Sequence, residues 1–493
     1  MLILKITKRI LGVITSAVCT FTVCTAALSI GVSAASGTVG DMTYVSYDDH
    51  VEITDCDASA TTVTIPPAIL DLPVTAIADS AFEDCSSLSQ VIISDGVTSI
   101  GDYAFYGCTD LQSVTIPDSV TSVGASAFRG TYIVNNQSGP VYYVNNWAVQ
   151  STSATAVEIK SGTIGIADST FYNKGLETVS IPTSVVTIGN SAFASNTDIR
   201  EVNVTSGVKT IGNSAFADCS SLLKVTIAST VTSIGAGAFY NCSSLKGIKI
   251  PDSVTSVGVD AFKYTSDYSN QTGPEIYIDT WVVNCLDSNE NLAVNIKSGT
   301  KGIADCAFQD KTFVISATIP SGTKTIGANA FKGCTALSQL TLADTLTSIG
   351  DYAFAGTKVP TVVVPASVAN IGYAAFYNCK NLTDITITNS SCSIFDSEYT
   401  IYSGAKMHVA EKSTAYDYAI KYGRTFDYIT TALVVKGDVT GNGKLDLYDA
   451  IAICKDIMGI AKLTAEQQKV ADITGDGVIN LYDAIEIAKA LLA

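Results

Sequence analysis

Two twelve-residue stretches near the C-terminus space oxygen-bearing side chains for one kind of chemistry, the capture of a hard divalent cation. The first is Asp438 to Asp449 (DVTGNGKLDLYD) and the second Asp472 to Asp483 (DITGDGVINLYD). In each, oxygen side chains stand at positions 1, 3, 5, 9 and 12. Glycine holds position 6, where a loop wrapped round an ion must turn sharply. The first set is Asp438, Thr440, Asn442, the backbone carbonyl of Lys444, Asp446 and Asp449; the second is Asp472, Thr474, Asp476, the carbonyl of Val478, Asn480 and Asp483. Each loop carries three carboxylates, enough to offset one divalent ion, so the expected cofactor is Ca2+, two ions in all. Asp/Gly-rich turns without metal are the alternative, and the full spacing repeated twice argues against them.

The elements that must position these loops follow them directly. Apolar residues recur at helical period over 447–457 and 481–492, so each unit reads as a loop running into one helix, half an EF-hand written twice. Over about 436–493 the duplicated motif D-[VI]-T-G-[ND]-G-x-[LI]-[DN]-L-Y-D-A-I resembles the type I dockerin. That resemblance implies a small all-α calcium-binding module with two F-hand motifs. By such a module, secreted proteins of anaerobic plant-degrading bacteria plug into a cohesin domain of a scaffoldin. It further implies that the cohesin is read by loop positions 10 and 11 and the helix face beyond, here Leu447, Tyr448, Ile451 and Lys455 in one copy and Leu481, Tyr482, Ile485 and Lys489 in the other. The sequence departs from the family at position 3, where Thr440 and Thr474 replace Asn or Asp while keeping an oxygen. Aspartate at position 12 is normal for dockerins. Internal packing of a very small domain is the other reading of the tyrosines. Because the two copies are offset by 34 residues throughout, either could present the same surface, which predicts two binding orientations.

At the other end, Lys5, Lys8 and Arg9 precede an apolar stretch over 10–32 and the small residues Ser33, Ala34 and Ala35. This is the pattern of a secretory signal peptide over 1–35, with an uncleaved anchor as the alternative. The expected location is therefore extracellular, in a cell-surface cellulosome complex, with no membrane partner after cleavage. Loss of the leader leaves 29 less 3 basic residues against 46 acidic ones, a charge of about −20 that argues against nucleic acid or an anionic membrane as partner.

Between these ends, repeats dominate. Phenylalanine recurs from Phe82 to Phe376, mostly at intervals of 22 or 23, with two roughly doubled gaps. In one unit, 113–128, a strand with Val114 and Ile116 inward and Thr115 outward leads through a turn to a second apolar pair, a glycine, and a helical turn bearing Ala-Phe. No unit can bury its own apolar face, so the units must stack. The pattern resembles the BspA-like leucine-rich repeat of bacterial surface proteins, which implies an α+β chain: a leucine-rich-repeat solenoid with a parallel sheet along one side, followed by the dockerin. The family is associated with adhesion and with binding of other proteins, so the implied partner is an unidentified protein or glycan. The expected domains are 36–429 for the solenoid, capped near 43–53 and 407–428, and 430–493 for the dockerin.

Two inserts, 132–155 and 264–292, interrupt the array and correspond at an offset of 134, aligning Trp147 with Trp281. Exposed aromatics there could stack on sugars, but Trp-Ala-Val and Trp-Val-Val read as buried strand. Outward strand positions such as Thr115, Asn203, Thr226 and Thr341 make a hydroxyl-rich face, suited to a partner or simply to an exposed strand. Six of the thirteen cysteines (Cys85, Cys108, Cys219, Cys242, Cys334 and Cys379) fall three residues after a repeat phenylalanine, which reads as a buried slot for thiols. No nucleophile, phosphate loop or carboxylate pair across a cleft is evident, so the chain reads as non-catalytic. A polysaccharide-degrading, glycoside hydrolase-type cellulosomal enzyme is the rival.

Overall fold

The computed structural model describes residues 35–288, 290–429, 437, 439–440, 445–474 and 477–491. Apart from Ala35, the stretch expected to be the leader lies outside them. From Ala35 to Tyr428 the chain winds as a parallel β-solenoid of about sixteen turns. A representative coil begins with the strand Gln90–Ile93, in which Val91 and Ile93 point in and Gln90 and Ile92 out. The next coil lies in register, Val91 opposite Val114. The alternation read from the sequence is thus the one that faces the core.

The second apolar pair does more than pack. Two-residue strands such as Ser99–Ile100 and Ser122–Val123, or Thr187–Ile188, Thr210–Ile211 and Ser233–Ile234, pair in parallel from coil to coil, so a second sheet runs along the solenoid beside the expected one. The glycine after each pair permits this. A Cβ on Gly101 would stand 2.5 Å from the backbone nitrogen of Asp79 in the coil before, too close for the coils to reach ladder distance.

The expected helical turn around Ala-Phe is instead a run of tight turns, because the residue before it is left-handed, as at Tyr103 (φ 55°) and Ser214 (φ 52°). Those turns drive each phenylalanine into the core, where the rings stack with centroids 4.7 to 5.5 Å apart. The cysteine slot is buried as read, and Thr131, Asn196 and Thr357, which replace cysteine there, are buried too. All eleven described cysteines are thiols.

Each insert is a short helix, Tyr132–Asn135 or Ser266–Ser269, followed by an antiparallel hairpin, Val141–Val144 with Trp147–Ser151 or Glu275–Ile278 with Trp281–Cys285. Both indoles are buried, 2% and 1% exposed, against Gly165 and Gly302. The inserts therefore pack onto the solenoid. The array is closed at its start by the hairpin of Met42–Ser46 and Val51–Cys56. At its end Lys406–Val409, helix Thr414–Lys421 and Phe426–Tyr428 close it.

Among the described residues the C-terminal module holds three helices, Leu447–Ile457, Ala465–Ala471 and Leu481–Ala490. Its core is small: Val439, Ala450, Ile453, Leu463, Ala471, Ala484 and Ile487. No described helix is long and apolar enough to cross a membrane.

Candidate metal loops and docking face

In both loops the position-12 aspartate organises the chain around it. Asp449 is fully buried; its Oδ1 accepts from the backbone N–H of Thr440 (2.8 Å) and from the Thr440 hydroxyl (2.7 Å), and its Oδ2 accepts from the N–H of Asp446 (2.8 Å). Asp483 repeats this with Thr474 (3.1 and 3.0 Å) and Asn480 (2.8 Å). Positions 3, 9 and 12 are thereby drawn together. The same contacts make a capping box, with Asp446 and Asn480 as N-caps whose Oδ1 atoms accept from the N–H of Tyr448 and Tyr482 at 2.8 Å. In the second loop Asp472 Oδ2 also accepts from the N–H of Gly477 (2.8 Å), which turns at φ 83°.

Two buried carboxylates held by neutral donors leave negative charge inside the loops for a cation to balance. The donor set is all oxygen, which suits calcium. Of the expected ligands, Asp438, Asn442, Lys444 and Asp476 lie outside the described residues. Thr440, Asp446 and Asp449 are brought together in one loop, and Asp472, Thr474, Val478, Asn480 and Asp483 line the other. Among the described residues no three acidic, histidine or cysteine side chains converge.

The helices turn their small core residues inward and leave the docking residues outside. Leu447 is 59% exposed and Tyr448 70%, against 57% for Leu481 and 71% for Tyr482; Ile451 and Ile485 are 38% and 39% exposed. Lys455 and Lys489 are exposed as well, the latter paired with Glu486 at 2.6 Å. Internal packing therefore does not account for the tyrosines. Sequence reasoning overlooked Met458 and Ile460, 64% and 67% exposed beyond the first helix. It also missed helix Ala465–Ala471, although Thr464 and Gln467 spell its capping box.

Titratable groups of another kind run along the solenoid. Two residues beyond the short strand of several coils, an Asp or Asn side chain accepts from an amide of the next coil: Asp168 Oδ1 from Asn190 (2.6 Å), Asn190 Oδ1 from Asn213 (2.8 Å), Asp305 Oδ1 from Ala328 (2.7 Å). Burial pushes the carboxyls of Asp168 and Asp305 up to about 6, against the hydrogen bonds that favour the charged form.

Residues 75–141, 142–269 and 301–412, together more than half of the chain, match the BspA type Leucine rich repeat region, and residues 436–492 match the Dockerin type I domain. The chain belongs to the BspA-type leucine-rich repeat family. Among solved structures it is similar to a leucine rich cell surface protein from Faecalibacterium prausnitzii A2-165, at 25% identity over 75% of this chain and 95% of that one, with a TM-score of 0.25. It is also similar to a leucine-rich repeat protein from Bacteroides ovatus ATCC 8483 (21% identity, 80% and 99% covered, TM-score 0.25) and to the T. pallidum Leucine Rich Repeat protein (26%, 43% and 88%, 0.23). No curated protein matches the chain. Both matched modules are non-catalytic, and no catalytic domain is matched. Type I dockerins generally bind calcium and imply a cohesin partner, so the two modules together make a cellulosome-type component with a protein-interaction repeat domain.

Proposed function

We propose that the protein is an exported, non-catalytic attachment protein. Residues 1–35 act as the leader, 36–429 form the displayed leucine-rich repeat domain, and 430–493 form the dockerin that fixes it to a scaffoldin. Two calcium ions, one per loop, order the loops so that Leu447, Tyr448, Ile451 and Lys455, or their counterparts Leu481, Tyr482, Ile485 and Lys489, meet a cohesin. The observation that carries this reading is the pair of exposed Leu-Tyr steps, matched to within a few per cent in exposure, each anchored beside a fully buried loop aspartate. Exposed aromatic and aliphatic anchors of this kind dominate interface energies. The leucine-rich repeat domain then presents its hydroxyl-rich faces to a protein or glycan.

The test is capture of the full chain by a panel of immobilised cohesins, with calcium and with EDTA. Calcium-dependent capture by one or more is expected. Binding unchanged in EDTA would remove the calcium role, and failure across a broad panel would remove the partner. Hydrolysis of plant polysaccharides by the purified chain would favour the enzymatic alternative.

A further inference from the structure

We propose that the two inserts are partition walls that divide the solenoid into three compartments, each folding and opening as its own cooperative unit. Among the described residues, the buried side chains of the solenoid form three clusters instead of one continuous core: Met42 to Ala167, Val141 to Ala304, and Val282 to Ala419. The clusters overlap in sequence only at the inserts and the coil that follows each, and in the inserts strand alternation sorts them. Trp147 and Val149 join the preceding cluster while Ala148 joins the following one; Trp281 and Val283 face back while Val282 faces forward.

The N-terminal cap has the same hairpin topology but a single buried face: Val51 and Ile53 are buried, and Glu52 and Thr54 are half-exposed. The insert strands Trp147–Ser151 and Trp281–Cys285 open with three consecutive buried residues each. Each insert is thus an end cap placed inside the array, covered on both sides.

Every ladder is cut at the walls. Ring stacking runs from Phe82 to Phe128, from Phe171 to Phe262, and from Phe308 to Phe376, with no stacked pair across a wall among the described residues. The ladder of short strands ends at Ser122–Val123 and at Ser256–Val257, and a new sheet begins beyond each, whereas the sheet of longer strands also breaks within the compartments, after Thr178–Ser180 and after Gln339–Thr341. Few links cross: the N–H of Asp168 donates to Val123 O and that of Asp305 to Val257 O, both at 2.9 Å, and at the second wall Lys301 pairs with Asp252 at 3.5 Å. Hairpin-turn side chains cover the cut edges, Asn145 Oδ1 accepting from Ile116 N–H and Asp279 Oδ2 from Ile250 N–H at 3.0 Å. Stability in a solenoid passes from each repeat to its neighbours, so a weak junction confines an opening to one side.

Hydrogen exchange with mass spectrometry on the full chain in calcium tests this with Phe216→Ala, which empties a fully buried site between Phe193 and Phe239. Amides over 156–262 should exchange about 100-fold faster or more. Peptides from 42–131 and 302–409 should stay within about twofold of the parent. Equal acceleration in all three regions, or a decline that passes coil by coil through both walls, would overturn the proposal. Should the alanine variant fail to fold, Phe216→Leu gives a milder perturbation of about 10-fold, and the same spatial pattern decides.

Discussion

Asp305 offers a perturbation whose sign is unusual for a carboxylate. Its ordinary value near 3.8 is pushed up to about 6 by burial, so the folded state holds a proton that the unfolded chain releases. Stability from this group is therefore fully present below about pH 4, falls as the pH rises, and is gone above about 6. At 1.36 kcal/mol per pKa unit the full difference is about 3 kcal/mol, reduced to about 1–2 kcal/mol because the side chain is only half-buried. Asp305→Asn keeps the oxygen that accepts from Ala328 N–H at 2.7 Å and removes the charge. Asn190 and Asn213 already fill the same slot in the middle coils. The variant should therefore equal the parent near pH 4 and exceed it by about 1–2 kcal/mol at pH 8, read from hydrogen exchange over 302–376 after correction for intrinsic rates. A variant no more stable than the parent at pH 8, or a gain confined to pH below 4, would refute the reasoning.

Chelation should unfold the helices of 445–491, seen as lost helical circular dichroism, while the β signal of the leucine-rich repeats persists, because the metal ligands assemble only as the module folds. A module that keeps its helices in EDTA would break the link between calcium and the docking face. Leu447→Ala with Tyr448→Ala should leave cohesin affinity within about threefold, and adding Leu481→Ala with Tyr482→Ala should cost about 100-fold or more by isothermal titration. A large loss from the first pair alone would rule out two orientations. The thiols of Cys108, Cys219 and Cys334, pushed up to about 12 by burial, should resist iodoacetamide at pH 8 in the folded protein and react fully in urea. Equal labelling in both states would mean that the slot is open.

Local features were legible wherever spacing alone encodes them. Loop positions 1 to 12 are read from residue type, and the helices beginning at Leu447 and Leu481 start where the periodicity places them. The alternation of Val114 and Thr115 gave the inward face of the first strand, and Trp-Ala-Val the buried hairpin. The second sheet was not legible, because a two-residue strand such as Ser99–Ile100 has no period to detect and exists only through its neighbours in the stack. Nor was the clamp of Asp449 on Thr440 and Asp446, which joins residues nine and three apart through one carboxylate.

The amino-acid sequence by itself determined the repeat, its inward residues, the twin oxygen-rich loops and the Leu-Tyr steps, since each is a matter of residue type at fixed intervals along the chain. Only the tertiary structure decided which core each insert residue joins. Trp147 and Ala148 are neighbours in the chain and both apolar, but strand geometry sends their side chains to opposite faces. What lies on each face depends on coils that are remote in sequence, so a single apolar run became a wall between two cores.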